Sequence, residues 1–546
     1  SFISQSGAVG VYALEYASQF RIGFAKFVSL GNKALCGEND VLEALLEDEQ
    51  TKVILAYLEG FEDARQLFEL ADKLRRQKEP KPLVVLKVGK SKSGQRAAQS
   101  HTGALAASDE VLDHLFTQYG MVRVDDLESL FNAAQVMSSQ PLPAGDRLCI
   151  ITNAGGPGII TADAAEGKGL KVPALSEELQ QKLKKHLPRT AGLSNPIDLV
   201  GDATATRYEK VLQELITSGE ADILLFLCTR QLMTDMEAIA EAIGNYAEEA
   251  REKGITLLAA FADFDPESKV GHIFDQKQIP YFHFGNNAIG ACAVARQYSR
   301  ILAQPPEEVQ HVQVEKEQTG KLLEQAKQRE NKFLTEPEVY QILQDYGLDI
   351  APYKVIRNKE ELKSAAEKLG YPLVAKVVSQ QVVHKSDAGG VVTDIRNEEE
   401  LLEAYDSIHH HVKEQHKEAE IEGVLLQQML KQGTEFIIGA RYSNTYGHLL
   451  MFGVGGIFVE VLKDVTFRRV PVSRSDARSM IAGIRAKKLL EGVRGKPAVD
   501  KEALADTLLR LSQLVQDFPQ VKELDINPVF GFQDKAVVAD ARVIVR

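Results

Sequence analysis

The sequence predicts an α/β protein in which two parallel-sheet domains are followed by an α+β domain. Residues 1–145 and again 146–304 alternate short apolar runs with helical patterns, which is typical of a parallel sheet covered by helices. After residue 331 strands and helices mix without that alternation. The length of 546 residues agrees with this division, because domains of roughly 100–200 residues would number about three or four.

The first two domains have the same alternation of apolar strand candidates and helical patterns. VILAYLEG at 53–60 and PLVVLKVG at 82–89 are buried-strand candidates, and a helical pattern lies between them. PLPAGD at 141–146 is a turn-rich joint, after which RLCIIT at 147–152 begins a second series of apolar runs. Similar length and rhythm predict two flavodoxin-like domains, 1–145 and 146–304.

The segment that follows is charged and polar. Residues 305–330 are expected to form a linker or an exposed helix. A capping-box pattern from Thr335 to Glu338 then predicts a helix at the start of the third domain, residues 331–546.

Composition excludes several classes of function. The formal net charge of -13 argues against nucleic acid as the main partner, because phosphate backbones require a basic face. The four cysteines are far apart, which disfavours a zinc site or a disulfide framework. No apolar run approaches the ~18 residues of a membrane span and no secretory signal opens the chain, so we expect a cytoplasmic protein. The opening SFISQSG resembles the end of a strand, so we expect further sequence before Ser1.

A basic loop with a histidine follows the strand at 82–89. GKSKSGQRAAQSHTGALAA at 89–107 contains Lys90, Lys92, Arg96 and His101, and small residues follow the histidine. A histidine among cations and backbone N–H donors at a helix start can carry a phosphoryl group. A solvated basic loop is the alternative that the residues alone leave open.

This loop resembles the phosphohistidine loop of ADP-forming acetyl-CoA synthetases, which are relatives of succinyl-CoA synthetase. The family pattern G-x-S-x-x-G followed by S-H-T-G-x-L-A is matched, except that Ala107 stands where glycine is common. The resemblance implies that His101 is phosphorylated. It also implies that Glu59 orients the catalytic imidazole, although for Glu59 taken in isolation an ordinary surface glutamate is the favoured interpretation.

Two glycine-bearing turns are the candidate phosphate cradles. Ser4, Gln5, Ser6 and Gly7 join a strand to a helix, and alone they would be an ordinary turn. In the second domain the run Thr152–Gly158 does the same and does not have the GxGxxG pattern. The resemblance assigns phosphate binding to both turns, in the second through Asn153, Gly155 and Gly156, with Asn195-Pro196-Ile197-Asp198 as an accompanying loop. A tight turn between strand and helix is the alternative for each.

The last domain carries residues suited to a nucleotide and a metal ion. Lys376 is a lone lysine inside an apolar strand, where a triphosphate would supply the partner that a buried charge needs. Asn527 and Asp540 would place an amide oxygen and a carboxylate on adjacent strands, a donor set that suits Mg²⁺. Together with the remaining candidates the set resembles an ATP-grasp fold. The resemblance assigns nucleotide binding to Lys376, Gln427, Gln428, Glu435, Gly455, Gly456 and Arg468.

The segment around His384 matches a second family motif. Val383 to Val391 fits H-K-S-D-x-G-G-V, which implies a second phosphorylated histidine, His384, between the nucleotide and His101. By contrast, the three histidines at 409–411 occupy consecutive positions of a predicted helix. They cannot share one helical face, so we expect them to be exposed to solvent.

The resemblance therefore implies an ADP-forming acyl-CoA synthetase (acid + ATP + CoA ⇌ acyl-CoA + ADP + phosphate) that works through acyl phosphate and phosphohistidine. Its implied partners are Mg²⁺, ATP or ADP, phosphate, CoA and a small carboxylic acid, in a homo-oligomer. An N-terminal CoA-binding domain is expected before Ser1. Two alternatives stay open: an acyl-CoA-sensing part of a protein lysine acetyltransferase, and a CoA ligase whose product the same protein cleaves further.

Overall fold

Two parallel sheets with the same strand order form the first half of the protein. The computed structural model describes residues 1–31, 33, 36–61, 64–91, 93–94, 96, 109–262, 264–304, 307–382, 385, 387–430, 433–455, 464–492 and 497–546. The strands of the first sheet are β1 (Phe2–Ser4), β2 (Phe27–Ser29), β3 (Ile54–Leu58), β4 (Leu83–Lys87) and β5 (Met121–Arg123). Those of the second sheet are β6 (Leu148–Thr152), β7 (Ile197–Asp198), β8 (Ile223–Cys228), β9 (Thr256–Phe261) and β10 (Tyr281–Phe282).

Both sheets have the flavodoxin-like topology. The first has the order β2-β1-β3-β4-β5 and the second the order β10-β9-β8-β6-β7, and all neighbouring strands are parallel. Numbered within its own sheet, each order is 2-1-3-4-5. The two flavodoxin-like sheets predicted from the alternating pattern are confirmed.

Helices separate these strands along the chain. In the first sheet's part they are α1 (Gly7–Gln19), α2 (Glu38–Leu46), α3 (Ala64–Arg75), α4 (Asp109–Gln118) and α5 (Leu127–Ser139). In the second part they are α6 (Gly155–Gly167), α7 (Glu177–Lys184), α8 (Ala205–Ser218), α9 (Met236–Gly244), α10 (Ala247–Glu252), α11 (Lys269–Gln276) and α12 (Gly285–Leu302).

Burial explains why the sequence forms these elements. All six residues of β8 are buried, as expected for a parallel strand that helices cover on both faces. In α3 the buried Leu67, Phe68, Ala71 and Leu74 recur at helical spacing and form one apolar face. Helices α5 and α12 pack on each other, and one apolar cluster contains residues of both sheets.

The second half contains two antiparallel sheets. Strands β11 (Tyr353–Ile356), β12 (Leu373–Val378), β13 (Val391–Ile395) and β14 (Gly423–Gln428) form a sheet of order β11-β14-β12-β13. Strands β15 (Thr434–Ser443), β16 (Gly447–Val454), β17 (Val465–Arg469), β18 (Val521–Gly531) and β19 (Ala536–Val538) form a sheet of order β17-β16-β15-β18-β19, and β20 (Ala541–Val545) also pairs with β18. The α+β character expected here is confirmed.

Six helices accompany these sheets in the described residues: α13 (Lys316–Lys327), α14 (Glu336–Asp345), α15 (Glu361–Leu369), α16 (Glu398–Gln415), α17 (Arg474–Gly483) and α18 (Lys501–Asp517), with a 3₁₀ turn at Lys487–Leu489. The capping box predicted at Thr335 is present, because the Thr335 N–H donates to the Glu338 carboxylate at 2.8 Å. Helix α13 lies in the segment that we expected to be a linker or an exposed helix. Its Leu323 and Ala326 are fully buried in the core of this half.

Residues Ser1–Pro305 and Pro306–Arg546 are two compact units, each with its own core. Among the described helices, none is both long enough and apolar enough to cross a membrane.

Candidate phosphate and nucleotide sites

Helix α1 begins directly after β1, and its first turn is open to solvent. Ser6 is the N-cap, and its side-chain oxygen accepts a hydrogen bond from the Val9 N–H at 3.4 Å. The Ser4 hydroxyl donates to the Ser6 carbonyl at 2.7 Å and accepts from the Ser6 N–H at 3.1 Å, which fixes the turn. Gly7 is exposed, and a Cβ there would meet no atom within 4 Å. Gly7 and Ala8 are thus exposed in this first turn, and an open helix N-terminus of this kind can bind an anion.

Gln5 ties this turn to the end of β3. Its amide oxygen accepts from the N–H groups of Glu59 at 2.7 Å and Gly60 at 3.2 Å, and its amide nitrogen donates to the Gly60 carbonyl at 3.1 Å. The amide nitrogen also donates to the Glu38 carboxylate, which forms an ion pair with Lys33 at 2.8 Å. Gln5 is 9% exposed, and its buried side chain holds the turn against the end of β3. Sequence reasoning missed Glu38 and Lys33, which carry no motif.

Glu59 follows β3 and is half-buried. The Tyr57 hydroxyl donates to Glu59 Oε1 at 3.4 Å. Burial, with the Glu59 carboxylate, raises the pKa of Tyr57 to about 12, so this hydroxyl stays a donor. His101 lies outside the described residues, and its pairing with Glu59 stays a prediction.

The second parallel sheet repeats the arrangement at the start of α6. The Thr152 hydroxyl donates to the Ala154 carbonyl at 2.8 Å and accepts from the Ala154 N–H at 3.0 Å. Asn153 is 1% exposed, and its amide donates to the Thr229 carbonyl and accepts from the Thr229 N–H, both at 2.8 Å. Its side chain thus holds this turn against the end of β8. Gly155 and Gly156 are the exposed residues of this helix start.

The accompanying loop supports the same strand. The Asn195 side chain accepts from the Ile150 N–H at 3.0 Å and donates to the Leu148 carbonyl at 2.7 Å. A Cβ on Gly155 would lie 3.3 Å from the Asp198 carboxylate, so a larger residue at 155 would crowd that side chain.

In the second unit, Lys376 is the centre of a buried polar cluster. Its ammonium group is 2.6 Å from Glu336 Oε1, donates to the Ala539 carbonyl at 2.9 Å and is 3.6 Å from Asp540 Oδ1. The Tyr340 hydroxyl oxygen lies 2.7 Å from the same carbonyl oxygen, donates to the Glu336 carboxylate and accepts from the Gln427 amide at 3.1 Å. The structure thus brings together Lys376, Gln427 and Asp540 among the residues proposed from the sequence.

Glu336 is the residue of this cluster that sequence reasoning missed. Its side chain is 1% exposed and also pairs with Lys385. Burial alone would raise the pKa of Glu336, but the ammonium groups of Lys376 and Lys385 hold that pKa low, at about 2. In the sequence Glu336 looks like an ordinary acidic residue in the first turn of a helix. The one local signal is Tyr340, four residues on and therefore on the same face of α14.

Asn527 and Asp540 lie on the same face of the last sheet. Ile526 and Ala541 pair in register and are both buried in the core, so their neighbours Asn527 and Asp540 point to the opposite face. The Asn527 N–H also donates to the Asp540 carbonyl at 3.1 Å. Burial of the carboxylate and the nearby Glu336 raise the pKa of Asp540 to about 6, although 51% of its side-chain surface is exposed.

This donor set fits Mg²⁺. It has the exposed amide oxygen of Asn527 and the carboxylate of Asp540, which lies 3.6 Å from the Lys376 ammonium group. Mg²⁺ commonly takes one or two carboxylate or amide oxygens, keeps waters and shares the phosphates of its nucleotide. No group of three or more His, Cys, Asp or Glu in the described residues forms a metal cage.

Other residues assigned to the nucleotide face different directions. Gln428 alternates with Gln427, and its amide donates to the Leu369 carbonyl at 3.0 Å on the far side of the sheet. Glu435 is exposed, and its carbonyl accepts from the Gly455 N–H at 2.8 Å. A Cβ on Gly455 would lie 3.0 Å from the Glu435 carbonyl carbon, so a larger residue at 455 would crowd this contact.

Arg468 belongs to the covered face of the last sheet. It pairs in register with the core residue Leu450 and donates to the Ser479 hydroxyl on α17 at 2.7 Å. Burial lowers its pKa, which Asp476, 3.6 Å away, partly opposes. The structure therefore does not bring Arg468 to the face of Asn527 and Asp540.

Two more assigned residues, His384 and Gly456, lie outside the described residues, as His101 does. In helix α16, His410 and His411 are exposed, whereas the ring of the partly buried His409 hydrogen-bonds the Tyr405 carbonyl at 2.8 Å.

Family models match nearly all of the chain. A succinyl-CoA ligase like flavodoxin domain matches residues 1–137, a ligase-CoA domain matches 148–303, and an ATP-grasp domain matches 325–545.

Curated relatives match along the whole length. The chain is 39% identical to an ADP-forming 4-hydroxybutyrate–CoA ligase of Nitrosopumilus maritimus over 529 residues, which cover 97% of this chain and 75% of the relative. It is also 39% identical to an ADP-forming acetate–CoA ligase of Archaeoglobus fulgidus, over 100% of this chain and 77% of the relative.

A solved structure resembles the larger part of the chain. It is that of a dinucleotide forming acetyl-coenzyme A synthetase from Ca. Korarchaeum cryptofilum in complex with phosphate and ADP. The match has 29% identity and a TM-score of 0.51, and it covers 55% of this chain and 65% of that one.

Proposed function

This chain belongs to the ADP-forming acyl-CoA synthetases, and we propose that its two compact units divide the steps of the reaction between them. The enzyme is an acid–thiol ligase that converts an acid, ATP and CoA into acyl-CoA, ADP and phosphate. Its cofactors and co-substrates are Mg²⁺, adenine nucleotide, CoA and phosphate. The identity to ADP-forming ligases along the whole chain supports this assignment.

In the first unit, the open helix starts hold the phosphoryl group that is transferred. The exposed residues Gly7, Gly155 and Gly156 present backbone N–H groups and the positive ends of helix dipoles. His101 accepts the phosphoryl group there, and Glu59 orients its imidazole. The fixed backbone of Glu59, held by the Gln5 amide at 2.7 Å, supports this role because an orienting carboxylate needs a rigid base.

In the second unit, Lys376 holds nucleotide phosphates, with Asn527 and Asp540 as the Mg²⁺ ligands. When bound, the ion neutralises the charge of the β- and γ-phosphate oxygens. Gln427 fixes the Tyr340 hydroxyl beside Lys376, so the ammonium group stays in place. His384 takes the phosphoryl group from ATP and passes it to His101.

The single observation that carries this assignment is the buried ammonium group of Lys376 beside Asp540. Lys376 is 6% exposed and ends 3.6 Å from a carboxylate on the open face of the last sheet. Glu336 pairs with both Lys376 and Lys385, so the two ammonium groups exceed its charge by one, and an anionic ligand at the open face can balance that excess.

The substrate class is proposed to be small aliphatic carboxylic acids. The relatives named above act on 4-hydroxybutyrate and on acetate, which supports this choice.

An assay of ADP release with ATP, Mg²⁺, CoA and a panel of acids tests the function. We expect ADP release beyond one equivalent per enzyme only when acid and CoA are both present, with acetate or 4-hydroxybutyrate faster than benzoate. Lys376→Met should lower this activity more than about 100-fold, because the ammonium group that binds the nucleotide phosphates is removed. A rate of continued ADP release that is the same with and without acid and CoA would contradict the assignment.

A further inference from the structure

A buried ion pair contacts the first candidate phosphate cradle, the turn from Ser4 to Gly7. Glu38 is the first residue of α2 and is 6% exposed. Its Oε2 is 2.8 Å from the Lys33 ammonium group and accepts from the Gln5 amide at 3.2 Å. Well-packed apolar residues usually stabilise a core as well as a buried ion pair does, because ions lose their hydration. An ion pair that contacts a residue of the cradle is therefore a candidate for a functional role.

These side chains meet at the carbonyl of Gly60, directly after Glu59. That carbonyl accepts from the Lys33 ammonium group at 3.0 Å and from the Gln5 amide nitrogen at 3.1 Å. The Gln5 amide oxygen accepts from the N–H groups of Glu59 at 2.7 Å and Gly60 at 3.2 Å. The backbone at Glu59 and Gly60 is therefore held by side chains from the turn after β1 and from the segment after β2.

Glu38 and this backbone together fix the direction of the Gln5 amide. The oxygen and the nitrogen of a terminal amide can exchange places when the group turns over. Two N–H donors meet the oxygen of Gln5, whereas a carboxylate and a carbonyl on its other side can accept only from its nitrogen. The bond to Glu38 is charge-assisted, and such bonds are stronger than those between neutral groups. Glu38 thus opposes a turn of the amide that would release the Glu59 N–H.

Lys33 is held in a conformation that lysine rarely adopts. Its φ of +55° lies in the left-handed region, where a non-glycine residue costs free energy unless the contacts around it compensate. Its N–H donates to the Leu30 carbonyl at 3.2 Å, and its ammonium group contacts Glu38 and Gly60. The side chain is 25% exposed, so most of its surface faces these contacts and not solvent.

We propose that Glu38 and Lys33 are a positioning pair for phosphoryl transfer in the first unit. Glu38 holds the Gln5 amide. Lys33 balances the charge of Glu38 and also holds the Gly60 carbonyl. The proposal rests on the proposed function, since it takes Glu59 and the start of α1 as parts of the transfer site. A loosened Glu59 backbone lowers the rate of the chemical step, because a misplacement of about 1 Å can cost roughly 100-fold, whereas the helix start still binds phosphate.

Lys33→Met and Glu38→Gln test this in the formation of phosphoenzyme from acyl-CoA and labelled phosphate. We expect each change to lower the rate constant at saturating phosphate about tenfold in rapid-quench experiments. The phosphate concentration that gives half of the maximal rate should stay within about threefold, because the helix start is intact. The double variant should be about as slow as either single variant, since each change breaks the same pair. Lys33→Arg should recover much of the rate, because a guanidinium group can donate to both Glu38 and Gly60.

Lys26→Met is the matched control. Lys26 forms an ion pair with Asp48 at 2.6 Å, and it precedes β2, at the end of the parallel sheet away from the cradle. Its loss removes an ion pair of the same domain and should leave the rate constant and the phosphate dependence unchanged. Chemical denaturation of all variants measures how far each change acts on stability.

The outcomes separate the two hypotheses. Absence of phosphoenzyme in the unmodified protein would reject the function proposed for the first unit, and the positioning role with it. A normal rate constant in Lys33→Met and Glu38→Gln would reject the pair alone. A rise of about tenfold or more in the half-maximal phosphate concentration at an unchanged rate constant would also overturn the pair, because Lys33 would then be a phosphate ligand. Effects that multiply in the double variant would show that the two residues act separately.

Discussion

Gln5 and Asn153 occupy equivalent positions at the ends of the two parallel sheets. Each is a buried amide that follows a strand-ending hydroxyl residue and precedes a helix start. Gln5 accepts from the Glu59 N–H, and Asn153 accepts from the Thr229 N–H, so each ties its own strand to the neighbouring strand of the sheet. The two candidate phosphate cradles are therefore built in the same way, with the amide beneath the turn and the glycines at its surface.

This equivalence predicts matched defects in Gln5→Ala and Asn153→Ala. Each change leaves buried backbone groups without a partner, which costs about 1–3 kcal/mol of unfolding free energy. Each also loosens a helix start, so the rate of phosphoenzyme formation from acyl-CoA and phosphate should fall about tenfold or more. Chemical denaturation and rapid-quench labelling measure the two effects.

Gln140→Ala is the matched control. Gln140 is 7% exposed, and its amide accepts from the Leu257 N–H and donates to the Gln278 carbonyl, away from both helix starts. Its loss should cost similar stability while phosphoenzyme formation stays close to normal. Equal kinetic defects in all three variants would mean that Gln5 and Asn153 only stabilise the fold.

The sequence predicted the layers of this protein better than the directions of its side chains. Continuous apolar runs such as β8 and the capping box at Thr335 are local signals, and both elements are present. The motif that contains Arg468 has no information on which face of its strand is covered, and the structure turns Arg468 to α17. Successive side chains of a strand point to opposite faces, so the sequence of β14 could have shown that Gln427 and Gln428 do not share one face. Glu336 was harder to find, because its lysines lie 40 and 49 residues away and Tyr340 is its one local signal.

Arg468→Met should therefore affect stability and not nucleotide binding. The guanidinium pairs with Ser479 and lies near Asp476, so its loss should lower the unfolding free energy by about 1–3 kcal/mol. Calorimetry with Mg²⁺·ADP should give a Kd within about threefold of the unmodified protein. A loss of Mg²⁺·ADP affinity of about 100-fold at unchanged stability would contradict this and would show that Arg468 binds the nucleotide.

Changes at the proposed metal ligands should act through Mg²⁺. In Asn527→Ala and Asp540→Ala one oxygen-donating side chain is removed from the open face, so the Mg²⁺ concentration for half-maximal ADP release should rise about tenfold. Asp534→Asn removes an exposed carboxylate of the same sheet and serves as the control. An unchanged Mg²⁺ requirement in both ligand variants would place the ion elsewhere.

His448 should make the second unit less stable in mild acid. Burial lowers its pKa, and the hydrogen bond from its Nε2 to the Val521 carbonyl at 2.7 Å opposes this only in part. The unfolded chain then binds the proton more readily, so stability is lost as pH falls from the unfolded pKa of about 6.5 towards the lower folded value. Thermal unfolding at pH 7.5 and 5.5 should show a smaller pH effect in His448→Asn. An equal effect in both proteins would assign the acid sensitivity to other groups.

The last prediction concerns the order of the two histidines. The nucleotide residues Lys376 and Asp540 belong to one compact unit, whereas His101 belongs by sequence to the other. Direct transfer requires reacting atoms within roughly 3–3.5 Å, and we propose that His384 is a carrier that reaches both places. In His384→Asn, γ-labelled ATP should no longer label His101, but acyl-CoA and phosphate should still form phospho-His101. In His101→Asn, ATP should label His384, and no acyl-CoA should form. Labelling of His101 from ATP at the normal rate in His384→Asn would show direct transfer, and His384 would then have no part in the relay.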